Sequence, residues 1–312
     1  MNMNIAIIGV GGVGGYFGGK LTQLLRDDPD VMIYFIARGN HLAEIRRNGL
    51  LLDTDEHQII CTPTLATEDI SELPTLDLCL IAVKSYDLEE VLIRLRPKIT
   101  GSTIILPLMN GVDIYERIRT IIGKGLVLPS SVYVGTHIER PGKVTQRGGA
   151  CTIVFGKDPR NGNDIAGLTD TLKRANIRFS LSDNPYVEIW GKFIFIASFG
   201  LVTACYDKTM GEVLESEELS SYVMKIMKEI VDIANAKRIP LPPSIIDESF
   251  VKARNFPFGT KTSFQRDYEI PGKKDERDLF GGAIIRMGEE LGINTETTKM
   301  IYELLQKGKA NY

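Results

Sequence analysis

One lysine of this chain stands where a lysine is costly. Lys192 lies inside residues 186–205, a run that is apolar almost all round through Ile189, Trp190, Phe193, Ile194, Phe195, Ile196, Phe199, Leu201 and Val202. That composition fits a helix buried on every face. An ammonium there costs several kcal/mol unless it is paired, so its pKa is expected to fall. A lysine poised near neutrality can deliver a proton. Glu188, one turn earlier, offers the plainer alternative of an i,i+4 ion pair, and spacing alone leaves the two readings level.

A second constellation opens the chain. Ile5, Ala6, Ile7 and Ile8 form a short apolar strand, and Gly9, Gly11 and Gly14 follow at the G-x-G-x-x-G spacing that cradles a dinucleotide pyrophosphate. Gly9 permits the tight turn out of the strand, Gly11 lets the pyrophosphate approach the backbone, and Gly14 lets the next helix pack on the sheet. Gly18 extends that packing face. A helix beginning near Gly12 turns its free N–H groups and positive end toward the phosphates, so Gly9, Val10, Gly11, Gly12, Val13 and Gly14 are the expected cofactor-binding loop. Leu21 to Leu25 continue the helical run.

Three polar residues stand at the ends of further strands. Residues 31–37 read as a buried strand ended by Arg38, residues 78–83 as one ended by Lys84, and residues 103–109 as one ended by Asn110 and Gly111. Ligands of an open parallel sheet bind outside the carboxyl ends of its strands, so Arg38, Lys84 and Asn110 would share a cationic, hydrogen-bonding rim with the glycine loop. Arg38 replaces the acidic residue that binds a ribose 2′-hydroxyl and suits a 2′-phosphate, hence NADPH. The alternative is a solvated arginine opening the Gly39-Asn40 turn. Pro107 predicts a bent strand or one near the sheet edge.

These residues need an α/β architecture: an N-terminal Rossmann-type doubly wound sheet over residues 1–183, then an all-helical domain over residues 184–312. From 127 to 155, short β-like runs broken by Pro141-Gly142 predict antiparallel strands that finish the first domain. A charged, Gly/Asn-rich segment at 157–162 precedes a helix at 164–175 and a last strand at 177–181. Ser182-Asp183-Asn184-Pro185 is a helix-start signal and marks the boundary. Helices are then expected at 217–237, 244–253, 262–269, 276–291 and 295–306. The run 186–205 is nearly long enough to cross a bilayer, but Glu188 and Lys192 interrupt it, and a central domain helix is expected instead.

Composition agrees with a small-molecule function. At 312 residues the chain suggests two domains. A formal charge of −3, with dispersed Lys and Arg, argues against nucleic acid. Cys61, Cys79, Cys151 and Cys205 form no C-x-x-C, and Met1-Asn2-Met3-Asn4 runs straight into the first strand, so reduced thiols and a cytoplasmic location are expected. His41, His57 and His137 lack ligand spacing, and no metal site is expected. Asp275-Glu276-Arg277-Asp278, read by itself, is an ordinary acidic helix start.

Taken in order, the motifs resemble those of the ketopantoate reductases, which reduce 2-dehydropantoate with NADPH in pantothenate and coenzyme A synthesis. The resemblance covers essentially the whole chain. It runs through the glycine loop, Ala82-Val83-Lys84, Met109-Asn110-Gly111, Gly135-Thr136-His137, Pro141-Gly142-Lys143-Val144, Glu188-Ile189-Trp190-Gly191-Lys192, Thr262-Ser263-Phe264-Gln265-Arg266-Asp267 and Glu276-Arg277-Asp278-Leu279-Phe280-Gly281-Gly282-Ala283. It implies that Lys192 is the proton donor, that Glu276 is an essential active-site acid, with Asp275 as the alternative at that match, and that Ser263 and Asn110 bind substrate. It also implies cofactor contacts at Gly9 to Gly14, Arg38, Lys84, Asn110 and, through the backbone, Ile138. The implied partner is a small 2-oxoacid, not nucleic acid or a membrane, with homodimerisation left open. Asparagines that bind substrate in the family fall here on Ile196, Gly200 and Met210.

Overall fold

The computed structural model describes residues 3–24, 28–161 and 164–308; of the sequence signals, Met1, Asn2, Leu25 and Gly162 lie outside the described residues. The chain divides into two compact units, Met1–Pro185 and Tyr186–Tyr312.

The first unit is wound on β1 (Met3–Ile8), whose Ile5, Ile7 and Ile8 are fully buried. Each such side chain contributes roughly 1.5–3 kcal/mol. There follow α1 (Gly12–Leu21), β2 (Val31–Ile36), α2 (Gly39–Asn48), β3 (Leu50–Asp53), β4 (Gln58–Cys61), β5 (Leu65–Thr67), β6 (Leu78–Ile81), α3 (Leu88–Leu95), β7 (Ile104–Pro107), α4 (Ile114–Ile121) and β8 (Leu126–Val127). Six of the strands form one sheet in the order β5-β2-β1-β6-β7-β8, and every pairing in it is parallel. The order reverses beside β1, which creates the switch-point crevice of a doubly wound sheet. Register makes that edge flush: Ile8 pairs with Ile36 and Ile81, and Ile81 with Pro107. Pro107 therefore closes a strand next to the edge strand, beyond the two residue pairs that β7 makes with β8, where its missing N–H breaks no ladder bond to that neighbour.

The remaining strands are β9 (Ser130–Tyr133), β10 (Thr136–Arg140), β11 (Lys143–Gln146), β12 (Thr152–Phe155) and, after helix α5 (Ala166–Arg174), β13 (Arg178–Leu181). The expected antiparallel pairing holds for β10 with β11, turning at Gly142 with φ +76°, and for β9 with β12. Two pairings to strands outside the range 127–155, of which the sequence carried no sign, are parallel: β11 with β3 and β12 with β13. The hairpin β3–β4 carries no strong alternation and was not foreseen; its Gln58 and Ile60 are exposed.

The second unit is helical: α6 (Pro185–Tyr206), α7 (Met210–Glu215), α8 (Glu217–Ala236), α9 (Ile245–Arg254), α10 (Ser263–Tyr268), α11 (Ala283–Leu291) and α12 (Glu296–Lys307). Helix α6 is apolar and long enough to cross a membrane, but 78% of its most apolar window is buried inside the protein. The single helix expected from Glu276 instead begins as a π-helical turn, Asp278–Gly282, before α11. A Cβ on Gly281 would lie 2.6 Å from Tyr302 Cδ2, so this turn is pressed onto α12. Short α7 was missed; Thr209 caps it in a reciprocal pair with Glu212.

One buried ion pair braces the first unit. Asp158 accepts from Arg119, from Tyr115 Oη at 2.9 Å, and from the Val127 and Arg160 N–H groups at 3.0 and 2.9 Å. Asp158→Ala strands the Arg119 guanidinium, and breaking such a pair costs about 3–5 kcal/mol. Urea denaturation should show that loss, whereas Asp170→Ala, at an exposed carboxylate, should leave stability nearly unchanged.

Candidate functional site

In the first unit, a crevice of about 270 Å³ opens where the flush strand ends meet. Its floor is Gly9, Val10 and Gly11 after β1, its sides are Ala37 and Arg38 after β2 and Ala82, Val83 and Lys84 after β6, and Ile138 of β10 reaches it from outside the main sheet. The apolar runs outlast their strands by a residue that still bonds its neighbour, since the Gly9 and Val10 N–H groups donate to the Ile36 carbonyl, Ala37 to Thr67 and Ala82 to Ile8. The glycines have separate geometric reasons. Gly9 has φ +93°, and a Cβ there would lie 2.8 Å from Val83 Cγ1. A Cβ on Gly14 would strike the Gly9 carbonyl, and one on Gly18 would lie 2.9 Å from Ile7 Cγ1. A Cβ on Gly11, by contrast, would enter open space, the condition for close approach of a ligand to backbone. Gly12 and Val13 are the first residues of α1, whose unpaired N–H groups face the loop side. These residues fit a dinucleotide.

Arg38, Lys84 and Ile138 all line this crevice, but Asn110, half-buried beyond β7, is not part of its lining. Nor is the rim purely cationic: Glu68, Asp87 and Glu90 face it along with Arg38, Lys84 and Arg94. Arg38, its side chain 75% exposed, is held by Asp87 at 2.6 Å. The alternative of a solvated arginine opening a Gly39-Asn40 turn holds for the exposure of Arg38 but not for the turn, because Gly39 begins α2 directly. The sequence reading also passed over His41. Its Nδ1 accepts the Gly142 N–H at 3.1 Å and its buried Nε2 has no hydrogen-bond partner. Burial holds its pKa below the ordinary histidine value.

In the second unit, Lys192 lies on α6 between buried Trp190 and Phe193 and keeps only part of its surface accessible. Desolvation, then the positive charge of Lys252, pull its pKa down to about 8, while Glu276 acts in the opposite sense. At pH 7 roughly nine in ten such ammonium groups remain protonated. Glu188, the i,i+4 candidate, instead supports the charge on Lys252. Glu276 is buried at 7% exposure just before the π-helical turn. Asp275, the alternative acid, is spent on Arg277, whose Nε and Nη2 donate to it at 2.9 and 2.6 Å. Ser263 is the exposed first residue of α10, which Thr262 caps. Ile196 is half-buried, and Gly200 and Met210 are buried. A Cβ on Gly200 would meet Phe264 Cδ1 at 3.6 Å, so a ring stands where a longer side chain would extend. Lys252 was the residue missed; nothing in its local sequence distinguishes it from a solvated helix lysine.

Among the described residues no His, Cys, Asp or Glu cluster suits a metal ion. The four cysteines are buried, and none is in a disulfide among the described residues.

The family model described as ketopantoate reductase PanE/ApbA matches residues 5–160, and its C-terminal companion matches residues 186–309. A 2-dehydropantoate 2-reductase of Streptococcus pyogenes is 26% identical over 313 residues, covering 99% of this chain and 98% of the relative. An uncharacterized oxidoreductase of Bacillus subtilis is 25% identical over 309 residues, covering 99% of each. Among solved structures, a PanE/ApbA family ketopantoate reductase from Ralstonia eutropha superposes with a TM-score of 0.87 at 27% identity, covering 98% of each chain. D-mandelate dehydrogenase, solved with NADH and anilino(oxo)acetate, shares the fold at a TM-score of 0.84 and 23% identity, covering 98% of each chain. Oxidoreductase chemistry with a nicotinamide cofactor is the common ground.

The electrostatics of Lys192 can be read without turnover. Amine-directed labelling of Lys192 against pH should show a midpoint near 8. Glu276→Gln removes the charge that favours the ammonium and should move that midpoint lower; an upward move would contradict the assigned field.

Proposed function

The chain belongs to the ketopantoate reductase PanE/ApbA family, and we propose that it reduces 2-dehydropantoate to pantoate with NADPH in the cytoplasm. The observation that carries this reading is the desolvated Lys192, on which the charge of buried Glu276 acts, within a helical unit that otherwise excludes charge from its core. When bound, the nicotinamide supplies the hydride. Lys192 then does the chain's part of the chemistry: its ammonium donates a hydrogen bond to the ketone oxygen, stabilises the negative charge that develops there, and gives up its proton. Glu276 keeps that ammonium charged until the proton is needed and can accept from a substrate hydroxyl. Ser263 and Asn110 are the further polar groups proposed to hold substrate.

On the cofactor side, Gly9 to Gly14 receive the pyrophosphate, Lys84 and the Ile138 backbone add contacts, and Arg38 reads the 2′-phosphate. Arg38 supports NADPH because it lines the crevice directly after β2, where an acidic residue would serve a free ribose hydroxyl. The buried cysteines, in no disulfide among the described residues, are consistent with a reducing compartment.

A second reading keeps the chemistry and changes the substrate to another branched 2-oxoacid. It is favoured by half-buried Ile196 and by Gly200 lying beneath Phe264, since apolar surface leaves a substrate hydroxyl without partners. A cofactor-binding sensor without catalysis is disfavoured, because such a protein has no use for a desolvated ammonium.

NADPH oxidation across a panel of 2-oxoacids tests the reading. Turnover of 2-dehydropantoate should exceed that of its analogue lacking the hydroxyl, and equal kcat/KM values would shift the assignment to the second reading. Lys192→Ala should lower turnover roughly 10²–10⁴-fold while cofactor binding persists. Because the reaction needs the protonated lysine, wild-type reduction should fall as pH rises through about 8. Arg38→Ala should weaken NADPH by about tenfold or more and barely change NADH; equal losses would remove Arg38 from the phosphate site.

A further inference from the structure

Helix α9 lies directly on the face of α6 around Lys192. A Cβ on Gly191 would be 3.4 Å from Ile245 Cδ1, and Phe199 meets Phe250 edge-on with ring centroids 5.8 Å apart. Just beyond α9, Phe256 stacks on Phe195 at 5.9 Å. This packing sets the ammonium of Lys252 over the ring of Phe195, 4.8 Å from its centroid. Phe195 follows Lys192 by one helical turn, so two ammonium groups from different helices are brought to one patch of α6. Their mutual effect is direct: the charge of Lys252 is, after burial, the next cause of the low pKa of Lys192. Placing like charges together is unfavourable in a partly desolvated setting, and an aromatic face fixes the second cation there.

Beyond Lys192, this face of α6 offers no polar side chain at its next two turns. Ile196 stands one turn beyond Lys192 and Gly200 two turns beyond. A 2-oxoacid carries its carboxylate on the carbon next to the ketone, so a site that protonates the ketone oxygen must also place a carboxylate partner beside the proton donor.

We propose that Lys252 is a specificity-determining residue that binds the substrate carboxylate beside Lys192, in place of side-chain amides at positions 196 and 200. This rests on the reading of the protein as a 2-oxoacid reductase. An acid acts on each lysine, Glu188 on Lys252 and Glu276 on Lys192. An arriving carboxylate adds further negative charge, which favours the protonated donor at the moment it is needed. Hydride addition to the carbonyl carbon and proton transfer from Lys192 to its oxygen complete the alcohol, while Lys252 keeps its proton throughout.

Lys252 is exposed and lies outside the core, so Lys252→Met, Lys252→Gln and Lys252→Arg can be compared as folded proteins. Each is assayed across pH with the preferred 2-oxoacid and with its uncharged methyl ester. Lys252→Met and Lys252→Gln should raise KM for the acid about 10–100-fold, with a smaller change in kcat, and leave KM for the ester within about threefold. Lys252→Arg should restore most of the affinity. The alkaline limb of kcat/KM should move above 8 in Lys252→Met, because a positive neighbour of Lys192 is gone. An unchanged KM for the acid, or equal losses for acid and ester, overturns the assignment while the reductase reading stands. A wild-type protein that reduces no 2-oxoacid overturns both.

Discussion

Helix α6 has almost no face to spare for water. Trp190, Phe193, Ile194, Phe199, Leu201 and Val202 are at most 2% exposed, and rings from three other segments close on it: Phe280 on Phe193, Phe256 on Phe195 and Phe250 on Phe199. Of its buried hydroxyls, Thr203 bonds the Gly200 carbonyl at 3.2 Å and Thr262 Oγ1 of another helix's cap at 3.0 Å, whereas Ser198 Oγ has no hydrogen-bond partner among the described residues. A helix packed this way can carry a charge only where its apolar covering is incomplete, and Lys192 marks that place. Desolvation, not a specific pairing, is the largest influence on Lys192. The lowered pKa on which the proposed role of Lys192 depends thus arises from the packing that holds the unit together.

The first unit handles polarity in the opposite way. Its main sheet keeps the rows from Ile5 to Ile8 and from Leu78 to Ile81 free of charge and places functional groups only after the last ladder pair. Flush register gives Gly9, Ala37 and Ala82 a common level, so a short excess of chain beyond each strand suffices to build a rim. Close packing of α1 makes this possible. With any side chain at Gly14 or Gly18 the helix would stand off from the sheet, and its first turn would no longer point into the crevice.

Much of this was legible in the sequence, for identifiable reasons. Strong apolar runs of strand length, glycine at fixed offsets and an uninterrupted apolar helix are local signals, and they yielded the parallel sheet, its rim residues Arg38 and Lys84, and α6. What stayed hidden depended on partners far along the chain. The parallel pairing of β11 with β3 joins Lys143 to Leu51 and leaves no local mark. The choice of Asp87 as the partner of Arg38 joins residues 49 apart. Spacing suggested Glu188 as a partner of Lys192 but could not show that α9 brings Lys252 to where the charge of Glu188 also acts. Asn110 was placed on the rim because its strand ends there, but it is not among the residues that line the crevice.

A common feature then links both units: Arg38, Lys192 and Lys252 are each already acted on by an acid. For Arg38 the relative strengths of two contacts decide which one prevails. Its bond to Asp87 is short, but the guanidinium is three-quarters exposed, and solvent-exposed pairs contribute only about 0–1 kcal/mol. A charge-assisted contact to a phosphate contributes roughly 1.5–3 kcal/mol. A 2′-phosphate would therefore win the guanidinium or share it, while Asp87 limits the orientations the side chain explores beforehand. On the proposed reading this makes the acid a guide for the arginine, and the entropic cost of ordering a long side chain falls before the ligand arrives. Asp87 is also an acceptor that a free ribose hydroxyl could use, so discrimination between the two cofactors depends on the balance between these two side chains and not on Arg38 alone.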